Sequence, residues 1–267
     1  MSMVAFAAAK AAPGVTTSAT AVAAVWPTER GVLLAECDPG GGDLAARFRL
    51  PAQPGLVSLA AAARRDLDAA MVAQHAQMLP GGLHVLVGPP GAEQAAAALS
   101  MLTPAVPSSL DGLQNMDVVA DLGRLDPASP ALPLAQAASL LVLVTGPRLD
   151  ELQHLAYRVR ALRDQCRAAG LVLVGAGPYA PREIGAALGL EVLGDLPADP
   201  RGAALLGGEA ASVAALHRTR LVRAARQVTA TILGQLAGGT SGGPVVASSA
   251  AANRPRPQSG TGREEGR

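Results

Sequence analysis

The sequence predicts one doubly wound α/β domain, in which helices cover both faces of a mainly parallel sheet. Short apolar runs alternate with longer segments of helical periodicity, a pattern typical of parallel strands that are buried on both sides. A chain of 267 residues with 49% hydrophobic content can also bury one sizeable core. We therefore expect one domain rather than two.

The apolar runs give the strands, and the segments between and after them give the helices. The predicted strands are Val4–Ala9, Val32–Glu36, Leu83–Val87, Asp117–Asp121, Leu140–Thr145, Leu171–Gly175 and a weaker Glu191–Leu193. The predicted helices are Thr16–Val25, Leu67–Met78, Ala92–Leu102, Arg148–Ala169, Pro181–Leu188 and Ala211–Leu236. In the longer helices apolar residues recur at helical spacing, so we expect these helices to lie on the sheet.

The C-terminal region divides into a basic helix and a polar tail. Arginines 218, 220, 223 and 226 surround the last helix instead of lining one face, which favours packing on the sheet over contact with an anionic membrane. Beyond Leu236 the chain is rich in Gly, Ser, Ala and Pro, with too little apolar content to offset the entropy of ordering. We expect a folded domain over residues 1–236 and a disordered tail over 237–267.

The charge balance and the cysteines indicate a cytoplasmic protein without a strong overall electrostatic field. The formal net charge is +1, so nucleic acid or a membrane would have to meet a local patch, such as Arg64-Arg65 or 218–226. Cys37 and Cys166 lack metal-ligand spacing and are expected to be reduced thiols. No two of the four histidines, among them His154, have metal-ligand spacing, which favours structural roles.

The loop after the first strand has the composition of a phosphate cradle. It reads Lys10, Ala11, Ala12, Pro13, Gly14, Val15, Thr16 and Thr17, between a strand and a helix. Backbone N–H groups and the positive end of the helix can hold phosphate here, and a threonine hydroxyl can face Mg²⁺. All but one of the 22 basic residues are arginine, and the only lysine is Lys10 in this loop. The ordinary pattern G-x-x-x-x-G-K-[ST] is not met, because Val15 replaces its lysine.

Acidic residues end two of the predicted strands. Glu36, at the end of the second strand, and Asp38 flank Cys37 in the sequence. Asp121 ends the fourth strand and begins the sequence Asp-Leu-Gly. An aspartate at a strand end serves as often in a turn or cap as beside a metal, so each residue alone leaves both readings open. The order and spacing of these segments relative to the loop favour the metal reading.

Together these motifs resemble the deviant phosphate loop, K-G-G-x-G-K-[ST]-T, of the ParA/MinD superfamily of P-loop ATPases. Lys10 matches the signature lysine and Thr16-Thr17 match the hydroxyl pair, whereas Val15 replaces the second lysine. The resemblance implies ATP bound along the loop, Mg²⁺ near Thr16, Asp38 and Asp121, and catalytic roles for Asp38 and Lys10. It also implies a homodimer in which Lys10 reaches the partner's phosphates.

Within this superfamily the chain is most similar to the CpaE/TadZ-like branch. The similarity rests on Gly42-Asp-Leu-Ala45, Gly82–Val87 and Gly194–Arg201, and it implies a partner in pilus, secretion or segregation machinery. It also implies recruitment to a membrane or pole by that partner. Where many relatives have an asparagine that reads adenine, this chain has Val174–Tyr179, so the choice between ATP and GTP stays open.

Two functions follow from the sequence. In the first, the chain is a nucleotide-dependent positioning protein with slow or absent hydrolysis, because Val15 removes a charge that normally supports phosphoryl transfer. In the second, it is a nucleotide-free pseudo-ATPase scaffold that acts through protein contacts alone. A metabolic enzyme on the same fold would need a substrate constellation that we do not find.

Overall fold

Eight strands form a single sheet in the computed structural model, which describes residues 2–10, 14–27, 29, 31–63, 67–104, 116–209 and 213–239. The strand order is β3-β4-β2-β5-β1-β6-β7-β8, and every pairing is parallel except that of β3 with β4. The strands are β1 (Met3–Ala8), β2 (Gly31–Glu36), β3 (Gln77–Met78), β4 (His84–Leu86), β5 (Met116–Arg124), β6 (Leu140–Thr145), β7 (Ala169–Val174) and β8 (Glu191–Leu196).

Helices connect the strands and cover both faces of the sheet. They are α1 (Val15–Ala23), α2 (Leu44–Phe48), α3 (Leu56–Ala62), α4 (Ala69–His75), α5 (Ala92–Leu102), α6 (Leu132–Ala137), α7 (Leu149–Gln165), α8 (Pro181–Leu188), α9 (Pro200–Leu206), α10 (Val213–His217) and α11 (Arg220–Gly239). This architecture confirms the predicted doubly wound α/β class.

The sheet separates two apolar cores. Alternate residues of β1 belong to different cores: Ala5 and Ala7 pack with α3, α5 and α7, whereas Val4 and Phe6 pack with α1 and α11. This alternation follows from the two-residue side-chain period of a strand. Because both faces are covered, the loops at the carboxyl ends of the strands are left to form a site.

Three predicted helices differ from the observed ones by more than two residues at one end or by an interruption. The helix predicted over Leu67–Met78 ends at His75, because the next residues turn to pair as β3 with β4. The helix predicted over Arg148–Ala169 ends at Gln165, because Ala169 already begins β7. The helix predicted over Ala211–Leu236 is divided into α10 and α11.

The last helix packs on the sheet, as its pattern predicted. Leu221, Val228 and Ile232 are buried in the core beside β8 and α1, whereas Arg223 and Arg226 are exposed. The helix continues to Gly239, past the expected domain end, and residues 240–267 lie outside the described part of the chain. In the described ranges, no helix combines the length and apolarity needed to cross a bilayer.

Candidate functional site

The phosphate-loop motif lies between β1 and α1, at the carboxyl edge of the sheet. Gly14 precedes α1 with a φ of 77°, a left-handed conformation that glycine adopts without strain. Thr16 and Thr17 are half-buried in the first helical turn. Of the predicted phosphate-binding positions, Ala11, Ala12 and Pro13 lie outside the described residues. The described part therefore has the expected order of strand, glycine and helix.

Val15 is a core residue. Its side chain is 1% exposed and belongs to the apolar core that also contains Phe6 and Val22. The position that carries a lysine in the ordinary motif thus contributes apolar packing here and no positive charge.

Asp121 lies at the centre of the carboxyl edge, on β5 between β1 and β2. Its Oδ1 accepts a hydrogen bond of 3.0 Å from the Gly123 N–H, while the buried Oδ2 has no hydrogen-bond partner in the described part of the chain. The pKa of Asp121 is raised to about 7, chiefly by burial. The Thr16 hydroxyl and the Gly123 N–H act to lower this pKa, whereas the charges of Glu36 and Asp38 act to raise it. The Thr16 hydroxyl favours the ionised form of the Asp121 carboxylate, but it forms no hydrogen bond to Oδ2. An orphaned carboxylate oxygen beside a threonine hydroxyl fits a cation site.

Asp38 joins this group from the loop after β2. Its Oδ1 accepts a 2.7 Å hydrogen bond from the Gly40 N–H, and its carboxylate lies against Gly123. Burial raises the pKa of Asp38, the Gly40 bond lowers it, and the charge of Asp43 raises it. Gly123 has a φ of 56°, and a Cβ there would overlap the Asp38 carboxylate. The structure thus brings together the three residues predicted to face the metal: Thr16, Asp38 and Asp121.

Glu36 has a structural role that the sequence did not indicate. Its Oε1 accepts hydrogen bonds from the Asp43 and Leu44 N–H groups at 2.6 and 2.9 Å, and its Oε2 accepts one from the Gly88 N–H at 2.9 Å. Burial raises the pKa of Glu36, although these three backbone donors lower it. Both carboxylate oxygens are therefore occupied in holding the loops after β2 and β4.

The thiol between the two acidic residues is not a ligand or nucleophile candidate. Cys37 is free and buried, and its burial, followed by the charges of Asp121, Glu36 and Asp38, raises the pKa of the thiol far above the ordinary range. Cys166 is also free, as expected, but is only half-buried. Among the described residues no cluster of three or more His, Cys, Asp or Glu side chains is arranged to hold a metal by itself.

Lys10 is exposed and contacts a residue for which the sequence indicated only a structural role. Its Nζ lies 2.7 Å from Nε2 of His154 on α7, although the two residues are 144 positions apart. No motif or spacing in the sequence could have indicated this contact. The signature lysine of the motif is thus held within its own chain.

The loop after β7 lies at the same edge. Gly175 has a φ of 82° and its N–H donates to the Leu196 carbonyl at 2.9 Å, so this residue makes the turn out of the strand. Gly177 packs against the Pro147 carbonyl, and Tyr179 is 39% exposed. This segment, which contains the partly exposed Tyr179, lies where the resemblance implies that many relatives have an asparagine.

Comparison with solved structures identifies proteins with the same architecture. MinD complexed with Mg-ADP from Pyrococcus horikoshii OT3 has a TM-score of 0.70 at 20% identity, over 89% of this chain and 97% of that one. The cell division ATPase MinD of Pyrococcus furiosus also has a TM-score of 0.70 at 20% identity, covering 88% and 99%. A ParA family ATPase from Chlorobium tepidum TLS has a TM-score of 0.68 at 17% identity, covering 86% and 97%.

No protein-family model and no curated protein matches the chain by sequence. The structural matches nevertheless extend over nearly the whole length of each relative and over 86–89% of this chain. Because the sequence identities are 20% or lower, this structural similarity establishes the architecture alone. The chain has the fold of the ParA and MinD ATPases.

Proposed function

We propose that this chain is a ParA/MinD-like positioning protein that binds ATP with Mg²⁺ and dimerises, with slow or absent hydrolysis. The observation that carries the proposal is the buried, unpartnered Oδ2 of Asp121 beside Thr16 and Asp38. A buried carboxylate oxygen without a partner is costly, and a cation held by these oxygens would satisfy it. One of the structural relatives is itself complexed with Mg-ADP.

In this proposal each part of the site has a distinct task. Backbone N–H groups along Lys10–Thr17 hold the phosphates, and the positive end of α1 favours their charge. Thr16, Asp38 and Asp121 hold Mg²⁺, which would neutralise phosphate charge when bound. Asp38, which is half-buried and reaches into the edge, orients the attacking water.

Val15 explains the expected slow turnover. Phosphate binding rests largely on backbone donors, whereas transfer of a phosphoryl group also needs cations that offset its developing charge. Since Val15 is buried in the core, its position supplies no cation to the loop, and Lys10 contacts His154 in this state. We propose that Lys10 leaves His154 to reach the phosphates of the partner in the dimer.

The partner is proposed to be a component of pilus, secretion or segregation machinery, which recruits the cytoplasmic chain to a membrane or pole. Nucleic-acid binding has weaker support, because the formal net charge is only +1 and gives no strong overall attraction to nucleic acid. Of its candidate patches, Arg64 and Arg65 lie outside the described residues. The apolar face of α11 is buried against the sheet, which also weakens the case for direct membrane contact through that helix.

The alternative is a nucleotide-free pseudo-ATPase scaffold. Its specific support is Val15, whose side chain fills core space instead of contributing a charge. The loop Val174–Tyr179, which lacks an asparagine, also favours it. The scaffold would keep the fold and use its surface for protein contacts alone.

Binding of a fluorescent ATP analogue, with Mg²⁺ and with EDTA, tests the two functions. We expect Mg²⁺-dependent binding that weakens at least tenfold in Thr16→Ala, while Thr231→Ala binds as the native chain does. Thr231 is the matched control, since it lies on α11 and bonds only its own helix, through the Gln227 carbonyl at 3.1 Å. Absence of binding by the native chain would establish the scaffold.

Light scattering with and without ATP then tests the dimer. We expect ATP to double the apparent mass of the native chain and to leave Lys10→Ala monomeric. A dimer that depends neither on ATP nor on Lys10 would refute the proposed switch.

A further inference from the structure

A second charged site lies at the carboxyl end of β8, outside the phosphate loop. Asp199, Arg201, Ala215, Arg218, Thr219 and Arg220 line a concave pocket of about 460 Å³. Three inter-strand spacings separate β8 from β1 in the sheet, which is about 14 Å. Three arginines therefore converge on one pocket at the same edge as the proposed nucleotide site, but beyond it.

Among the described residues that line the pocket, the one carboxylate, that of Asp199, already accepts hydrogen bonds from the backbone. Oδ1 of Asp199 accepts a 3.0 Å hydrogen bond from the Gly202 N–H, and Oδ2 accepts one of 3.1 Å from the Leu221 N–H. These bonds, the Gly202 bond foremost, lower the pKa of Asp199 and keep it ionised. With three guanidinium groups and one carboxylate, the pocket has an excess of two positive charges.

Two of these arginines have no partner within the described residues. Arg220 donates one hydrogen bond, from Nη2 to the Ala198 carbonyl at 3.3 Å, whereas Arg201 and Arg218 form neither an ion pair nor a side-chain hydrogen bond there. Some arginines of the chain do pair with a nearby carboxylate, as Arg47 does with Asp43 at 2.7 Å, whereas others, such as Arg158 and Arg160, have no such partner among the described residues. The feature of Arg201, Arg218 and Arg220 is that all three line one pocket.

Three N–H groups in the first turn of α11 are used within the chain. The Leu221 N–H donates to Asp199, the Val222 N–H to the Thr219 hydroxyl at 3.3 Å, and the Arg223 N–H to the Thr219 carbonyl at 3.2 Å. A ligand in the pocket would therefore rely on the arginine side chains more than on this helix terminus. Planar guanidinium groups pair with phosphate through two parallel hydrogen bonds, which makes arginine well suited to phosphate recognition.

We propose that this pocket binds a phosphate-bearing anion through Arg201, Arg218 and Arg220. The concave shape and its three converging guanidinium groups fit a compact phosphate or diphosphate group better than an extended backbone. The group can belong to a soluble phosphate compound or to a lipid headgroup. The proposal is independent of nucleotide binding at the loop after β1.

Calorimetric titration of the full chain with inorganic pyrophosphate, at constant ionic strength and in EDTA, tests this site. We expect binding that weakens at least tenfold in the double variant Arg201→Gln/Arg218→Gln and less than twofold in Arg223→Gln. Arg223 is the matched control, because it is exposed on α11 and does not line the pocket. Lys10→Ala/Thr16→Ala should bind as the native chain does, which separates this pocket from the phosphate loop.

Cosedimentation with vesicles of phosphatidylglycerol identifies the source of the phosphate. Retention lost in Arg201→Gln/Arg218→Gln but kept in Arg223→Gln would assign the pocket to a lipid headgroup, and pyrophosphate binding without such retention would assign it to a soluble compound. Single Arg218→Gln replaces the double variant if circular dichroism shows that the latter is unfolded. The proposal is overturned if neither ligand binds, or if binding is equal in the pocket variants and the control.

Discussion

Replacing Asp121 by asparagine should stabilise the protein above neutral pH. The pKa of Asp121 is raised from an ordinary 3.8 to about 7 in the folded chain. At 1.36 kcal/mol per pKa unit, this difference corresponds to about 4 kcal/mol. Because the folded pKa is the higher one, the unfolded chain releases its proton first as pH rises. The free energy of unfolding should therefore fall between about pH 4 and pH 7 and lose no more above about pH 8.

Asparagine has the same shape as aspartate and cannot ionise. It keeps the Oδ1 acceptor for the Gly123 N–H, while its amide group replaces the unpartnered Oδ2 and can cost about 1–3 kcal/mol where it stays unpaired. We therefore expect Asp121→Asn to exceed the native chain in stability by about 1–4 kcal/mol at pH 8 and to show no advantage at pH 4.

Urea unfolding in EDTA at the two pH values measures this difference. The single tryptophan, Trp26, is a convenient fluorescent probe because it is only 5% exposed and its Nε1 donates to Asp117 at 3.1 Å. Asp126→Asn is the control, since Asp126 is exposed and pairs with Arg124 at 3.0 Å. A stability difference between Asp121→Asn and the native chain that is the same at pH 4 and pH 8 would refute the reasoning.

Three further substitutions test the packing around the site. Glu36→Ala leaves three backbone N–H groups without their acceptor, so thermal unfolding should show a free energy of unfolding lower by about 3 kcal/mol or more. The stability of Glu36→Gln should lie between those of Glu36→Ala and the native chain. Gly123→Ala places a Cβ on the Asp38 carboxylate at a positive φ; chemical unfolding should show a loss above about 1 kcal/mol, and an unchanged midpoint would contradict the contact. Val15→Lys removes a buried side chain from the core, so urea unfolding should show a free energy of unfolding lower by about 2 kcal/mol. The exposed control Ala230→Lys should lower it by less than about 0.5 kcal/mol.

The order of the major elements could be predicted because each apolar run carries its own local signal. The candidate phosphate loop and Asp121 could also be predicted from local sequence, since each follows or ends a strand, and parallel pairing brings such ends to one edge. β3 escaped prediction because two residues, Gln77–Met78, become a strand only by pairing with β4. The short helices α2 and α9 were not predicted, because five and seven residues are too few to establish a helical period.

The contacts that define the site depend on residues far apart in the chain. Glu36 meets the Gly88 N–H across 52 positions, and Lys10 meets His154 across 144. Nothing in the sequence pairs Glu36 with Gly88 or Lys10 with His154, so only the assembled sheet reveals the contacts. The core position of Val15 was equally hidden, because the sequence identified a missing lysine but not where the replacing side chain points.

The Glu36 carboxylate makes two separate loops into one cooperative unit. The segment that carries Asp38 and the turn at Gly88 share this single acceptor, so neither loop can open without breaking bonds that also restrain the other. Amide hydrogen exchange should therefore report one common opening for the Asp43, Leu44 and Gly88 N–H groups. A partner that binds the surface near Gly88 would change the mobility of Asp38 through the Glu36 carboxylate that both loops share.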